Sequence, residues 1–187
     1  MTAGSGIMHQ EMPKPAERML GVQLWLNLPR KDKMTAPQYR DIKADMIPKI
    51  TETGTTIGVI SDDYKGTPSP VHGDYVKMLF LDVEMQSNTE WKLQTQPGDT
   101  LFIYIVEGSG WFEDSDQNLQ LSKRALLFND GDEFLARASQ DGLRFLLLHA
   151  EPLNEPIAWG GPIVMNTREE LDQAFQEITN GTFIKNK

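Results

Sequence analysis

Thr100-Leu-Phe-Ile-Tyr-Ile-Val-Glu107 is an apolar run bounded by Gly98-Asp99 on one side and Gly108 on the other. A short apolar run between turn residues predicts a strand. Working outward, stretches of the same kind recur at Thr55 to Ser61, Tyr75 to Met85, Leu119 to Phe128, Glu133 to Ala138 and Leu143 to His149, separated by Gly, Asp, Asn and Pro. Many short strands with regular turn signals argue for an all-β sandwich or barrel. Gly98-Asp99 and Gly131-Asp132 are similar tight turns, each expected to reverse the chain between barrel strands.

The flanks read differently. Val22-Gln-Leu-Trp-Leu-Asn-Leu28 alternates and stops at Pro29, which predicts a half-buried strand. Arg30 to Tyr39 is polar and turn-rich, a linker with one helical turn after Pro37. At the carboxyl end Thr167-Arg-Glu-Glu170 is a capping box, and Leu171, Ala174, Phe175 and Ile178 repeat at helical spacing until Asn180-Gly181 closes the helix. A single amphipathic helix after a β domain predicts a lid packed on the barrel.

Composition removes several functions. The 187 residues are 39% hydrophobic and 24% charged, enough apolar material for one good core or for one domain plus part of another. Lys+Arg of 18 against Asp+Glu of 27 gives a net charge of -9, a field that repels phosphate backbones, so no direct nucleic-acid partner is expected. The absence of cysteine excludes disulfides, thiolate metal sites and cysteine nucleophiles, and suits a reducing compartment. No segment approaches the roughly 20 apolar residues of a membrane span, so no membrane partner is expected and the reading is a cytoplasmic protein.

Near the amino end, Met8-His9-Gln-Glu11-Met12 holds a histidine and a carboxylate at i and i+2 in a segment that reads as extended. In extended chain these two side chains point to the same side, which is half of a non-haem metal site. The alternative for His9 and Glu11 is a pair of polar residues hydrogen-bonded to water on an exposed strand.

Three stretches together resemble the pirin family: Thr2-Ala-Gly-Ser-Gly-Ile-Met-His9-Gln-Glu11-Met-Pro13; Gln23-Leu-Trp-Leu-Asn-Leu-Pro29 with Lys31-Asp-Lys33; and Pro152-Leu-Asn-Glu-Pro156 with Gly161-Pro-Ile-Val-Met-Asn-Thr167. The resemblance extends from Met1 to Phe183. It implies a cupin double-stranded β-helix, or barrel, with a C-terminal α-helix. Residues 1–45 would be the remnant of an N-terminal cupin and residues 46–187 a complete C-terminal cupin. Pirins hold one iron in the amino-terminal barrel through three histidines and a glutamate. By resemblance His9 and Glu11 are metal ligands for Fe(II), and Glu11 is also the catalytic base. The resemblance further implies that this chain is amino-terminally truncated. It begins late in the first barrel, so the upstream His-x-His pair is missing and only two of the four expected ligands are present.

The second barrel does not replace them at the positions where cupins place histidines, since Glu90 to Pro97 and Asp132 to Ala138 contain none. His72 reads as a surface loop residue and His149, after Phe145-Leu-Leu-Leu148, as a strand-end histidine with a hydrogen-bond partner. The family chemistry is iron-dependent quercetin 2,3-dioxygenase activity on a small flavonol-like aromatic. With two imidazoles missing, that activity is expected to be impaired unless the metal site is completed. The alternative is a non-catalytic regulatory module that binds a protein partner. Exposed strands, with Leu24 and Leu26 or Trp25 uncovered, would favour such a partner or self-association.

Overall fold

Strands β5 (Thr100–Trp111) and β8 (Glu133–Ala150) form the spine of the main sheet, paired antiparallel from Thr100↔Ala150 to Trp111↔Arg137. The computed structural model describes residues 1–17 and 19–184. Side chains alternate faces along a strand. Leu101, Ile103 and Ile105 of β5 therefore enter the core with Phe145 and Leu147 of β8, while Thr100 and Glu107 stay outside.

The two strands expected at Glu133–Ala138 and Leu143–His149 are one continuous strand. Its buried positions are Phe134, Ala136 and Ala138 in the first half and Leu143, Phe145 and Leu147 in the second, so the inward face changes phase across residues 139–142. A period-two reading breaks there, although the backbone continues through a bend. Gly142 sits at φ 71° and its neighbour Gly108 at φ 72°. A Cβ on Gly108 would run into the Gly142 carbonyl, so the close approach of β5 and β8 requires glycine.

The bend lets β8 serve two sets of neighbours. Its first half pairs with β4 (Glu90–Gln94) and its second with β3 (Leu79–Met85). Outside β3 lie β2 (Thr55–Ser61) and then β1 (Lys49–Glu52), while β6 (Gln120–Leu121) and β7 (Ala125–Leu127) pair with β5. These antiparallel strands form a cupin β-barrel. Ile57, Val59, Leu81 and Val83 complete a core in which each large apolar side chain contributes about 1.5–3 kcal/mol.

Several strand spans differ from expectation, and β5 itself runs on past Glu107 to Trp111. The run expected from Tyr75 becomes β-structure only at Leu79. Leu119–Phe128 is two short strands, interrupted at Ser122-Lys123-Arg124, where Lys123 has φ 66°. Strands β1 and β4 escaped the sequence pattern because each is short, half exposed and paired on one side only, and polar residues dilute its apolar signal.

The chain divides into two compact units, Ile42–Pro152, which holds the barrel, and Met1–Asp41 together with Leu153–Lys187. The division by resemblance at residues 45 and 46 is therefore not the division into compact units, because the carboxyl-terminal segment groups with the amino-terminal one. In that unit α1 (Arg168–Thr179) packs on the hairpin of β9 (Ala158–Gly160) and β10 (Ile163–Met165). Leu171 and Ala174 join Ile163, Met165 and Phe183 in a small core, so the helix packs its buried side within its own unit. The Thr167 side chain accepts from the Glu170 amide and the Glu170 side chain accepts in return, forming the expected capping box.

Val22–Leu28, expected as a strand, is not one. A strand needs a neighbour to take its backbone hydrogen bonds, and no described residue pairs with this segment. The helical turns also lie elsewhere than after Pro37, as 3-10 turns at Arg30–Asp32 and Ala44–Met46.

Candidate functional site

His9 and Glu11 lie in a stretch of extended chain without regular secondary structure. Upstream it is anchored where Thr2 pairs with Gln38 and the Ser5 amide donates to the Thr35 carbonyl at 2.8 Å. Farther along the chain, from Asn27 to Lys33, a network of side chains holds the backbone. The Arg30 amide donates to Glu155 Oε2 at 2.8 Å, and its guanidinium donates to Glu170 Oε1 at 2.7 Å. Glu170 Oε2 accepts from the amides of Asn166 and Thr167, and Asn166 Nδ2 donates to Glu155 Oε2 and the Pro156 carbonyl.

Lys33 belongs to the same network. It is 7% exposed and donates from Nζ to Asn27 Oδ1 at 2.7 Å. Burial lowers its pKa, and the charges of Glu155 and Glu170 pull it partly back. Arg30 and the Asn166 amide hold Glu170 below the ordinary carboxylate value, because both bond its ionised form. Lys31-Asp-Lys33 and Pro152 to Pro156 carry part of the family resemblance, but their sequence alone did not assign them this clamp. The signal available was that both stretches place charged residues near prolines, which stop regular structure and leave side chains to satisfy the backbone.

His9 Nδ1 and Glu11 Oε1 stand 3.8 Å apart, with side chains 38% and 73% exposed. The i, i+2 spacing thus brings an imidazole nitrogen and a carboxylate oxygen into one space. Among the described residues no group of three or more His, Cys, Asp or Glu is placed to hold a metal ion. An iron ion held through four donors does not fit the residues of this chain that are described. The same stretch leaves Trp25 56%, Leu24 39% and Leu26 46% exposed, and the Trp25 ring meets Trp159 edge to face at 6.5 Å.

The other histidines sit in the barrel unit. His72 lies in a loop beside Asp62 and Asp63, with ring nitrogens 3.7 and 3.6 Å from their carboxylates. His149 ends the apolar half of β8 as expected, with Nε2 3.1 Å from Asp99 Oδ2. Despite that approach Nε2 makes no hydrogen bond, so it is buried without the partner expected from the sequence. Burial lowers the His149 pKa against an opposing pull from Asp99. No described helix is long and apolar enough to cross a membrane.

Among known proteins, the family model of the Pirin C-terminal cupin domain matches residues 80–184. A protein of Thermoplasma acidophilum, provisionally named a quercetin 2,3-dioxygenase, is 36% identical over 207 residues, covering 100% of this chain and 78% of its own length. Pirin of Mus musculus is 39% identical over 183 residues, covering 96% of this chain, which spans 62% of that protein. Among solved structures, a quercetin 2,3-dioxygenase from Acinetobacter baumannii superposes with a TM-score of 0.75 at 32% identity, over 85% of this chain and 55% of that one.

Proposed function

Because this chain belongs to the pirin family, we propose that it serves a quercetin 2,3-dioxygenase-type oxidoreductase by supplying two of the metal donors, His9 and Glu11, to a site that further polypeptide completes. The observation that carries this reading is the His9–Glu11 pair itself, 3.8 Å apart a few residues after the Ser5–Thr35 bond. Two exposed donors bind a metal weakly, since affinity grows with ligand number and fixed geometry. The chain alone is therefore an impaired dioxygenase. The uncovered Leu24, Trp25 and Leu26 supply an apolar surface on the same segment against which completing polypeptide can pack. We assign the protein to the cytoplasm, in keeping with a sequence free of cysteine.

Elemental analysis after anaerobic Fe(II) loading and desalting tests this, with quercetin consumption followed in parallel. The purified chain should retain well below one iron per chain and leave quercetin near background. Adding a polypeptide that carries the upstream His-x-His motif should raise iron retention, and His9→Ala should cancel the gain. Stoichiometric iron with quercetin turnover by the chain alone would overturn the proposal, as would a gain indifferent to His9→Ala.

A further inference from the structure

A cavity of about 370 Å³ opens in the barrel unit. It forms where the turn between β4 and β5, the loop leaving β5, the loop entering β8 and the last residues of β8 meet. Such openings in β-barrels are frequent ligand sites. This one is separate in sequence and in unit from His9 and Glu11.

One wall is aromatic. Phe112, Phe128 and Phe134 meet pairwise with ring centroids 5.0 to 5.9 Å apart, two of the three contacts edge to face. Phe134 is buried and braced by Phe145, while Phe112 and Phe128 are only partly covered and present ring surface to the cavity. Mutual bracing fixes the rings and keeps the space from closing by rotamer change.

The polar lining has one sign. Asp99, Glu113, Asp114, Asp130 and Glu133 face the space, and no Lys or Arg lines it. Two of these carboxylates are engaged: Glu133 with Lys92 at 2.8 Å and with Gln94, and Asp130 with the Gly98 amide at 2.6 Å. Glu113 and Asp114 lie at the rim, and their carboxylates make no ion pair with a described residue. Asp99 stands beside His149, whose buried Nε2 lacks a hydrogen bond. An ammonium reaching Asp99 would place positive charge against that carboxylate, next to the His149 ring.

We infer that this cavity binds a small aromatic amine, with its ring against the Phe112–Phe128–Phe134 wall and its ammonium held by the carboxylates around the opening. The aromatic wall contributes burial and ring contacts, and quadrupoles of the partly covered rings also favour a cation. An anionic aromatic of the same size would meet the carboxylates of Asp99, Glu113 and Asp114, with no Lys or Arg in the lining. A flat ring with a short aminoalkyl chain is in proportion to a cavity at the small end of ligand sites.

Calorimetric titration of the full 187-residue chain with tyramine, and with 4-hydroxyphenylacetate as its anionic counterpart, tests the assignment. Tyramine should bind saturably at one site, with the anion at least about tenfold weaker. The chain has three histidines, so the His149 ring signals can be followed by NMR, and they should shift with tyramine. The double variant Glu113→Gln/Asp114→Asn, on the loop leaving β5, should keep the fold and weaken tyramine by about fivefold. Phe128→Ala should abolish saturable binding. Absence of tyramine binding, equal binding of the anion, or binding that leaves the His149 signals unmoved and survives the double variant would each overturn the inference.

Discussion

In the barrel unit, Ile57, Leu81, Ile103 and Phe145 have no exposed surface and lie in a continuous apolar core ringed by paired strands. In the unit built from both ends of the chain, Ile163, Met165, Leu171, Ala174 and Phe183 make a much smaller core, and Arg30, Lys33, Glu155, Asn166 and Glu170 knit the segments together with polar bonds. Hydrophobic burial stabilises in proportion to area, whereas each exposed polar bond adds little net. The barrel should therefore be the stable part of the molecule. The other unit trades stability for a clamp of polar bonds and leaves His9, Glu11 and Trp25 uncovered.

The largest expected effect tests the first half of that contrast. Phe145→Ala removes a ring that touches Trp91, Phe112 and Phe134, and should cost about 3–5 kcal/mol in the barrel's urea transition. A smaller effect tests the second half. Thr167→Ala deletes the N-cap of α1 and should cost about 1 kcal/mol, confined to amide exchange in residues 153–184. If Thr167→Ala proved as costly as Phe145→Ala, the contrast between an apolar and a polar scaffold would be wrong.

The same contrast explains what could be read from the sequence. Barrel strands such as Thr55–Ser61 were legible to the residue because β-branched and apolar side chains fill them and turn residues bound them. The capping box at Thr167 and the closure at Asn180-Gly181 were legible because local hydrogen bonding specifies them. Val22–Leu28 carries the alternation of a strand, yet alternation specifies only a face. Whether a partner strand lies beside it is non-local information. For the candidate site, the i, i+2 spacing of His9 and Glu11 sufficed to bring the two groups together. The cavity lined by Phe112, Phe128 and His149 was not legible, since its residues come from four separate places in the chain and meet only through strand register.

Acid response sharpens the comparison with an effect smaller than either substitution. Burial, partly opposed by Asp99, holds the His149 imidazole below its ordinary value of 6.5. As pH falls, the unfolded chain takes up that proton first, so barrel stability declines from about pH 6.5 downward until the folded ring is protonated too. Glu170 is also depressed, from 4.5, but it is an acid stabilised in its charged form by Arg30 and the Asn166 amide. Its contribution is complete above that value and is lost as pH falls through the lower folded one. Hydrogen exchange followed separately in the two units should show the barrel weakening first and the other unit only near pH 4.5 and below. His149→Gln should remove the early phase in the barrel and leave the other unit unchanged, and Glu170→Gln should do the reverse. A barrel indifferent to pH down to 4.5 would mean that His149 is not held neutral by burial, and would remove the electrostatic distinction between the two units.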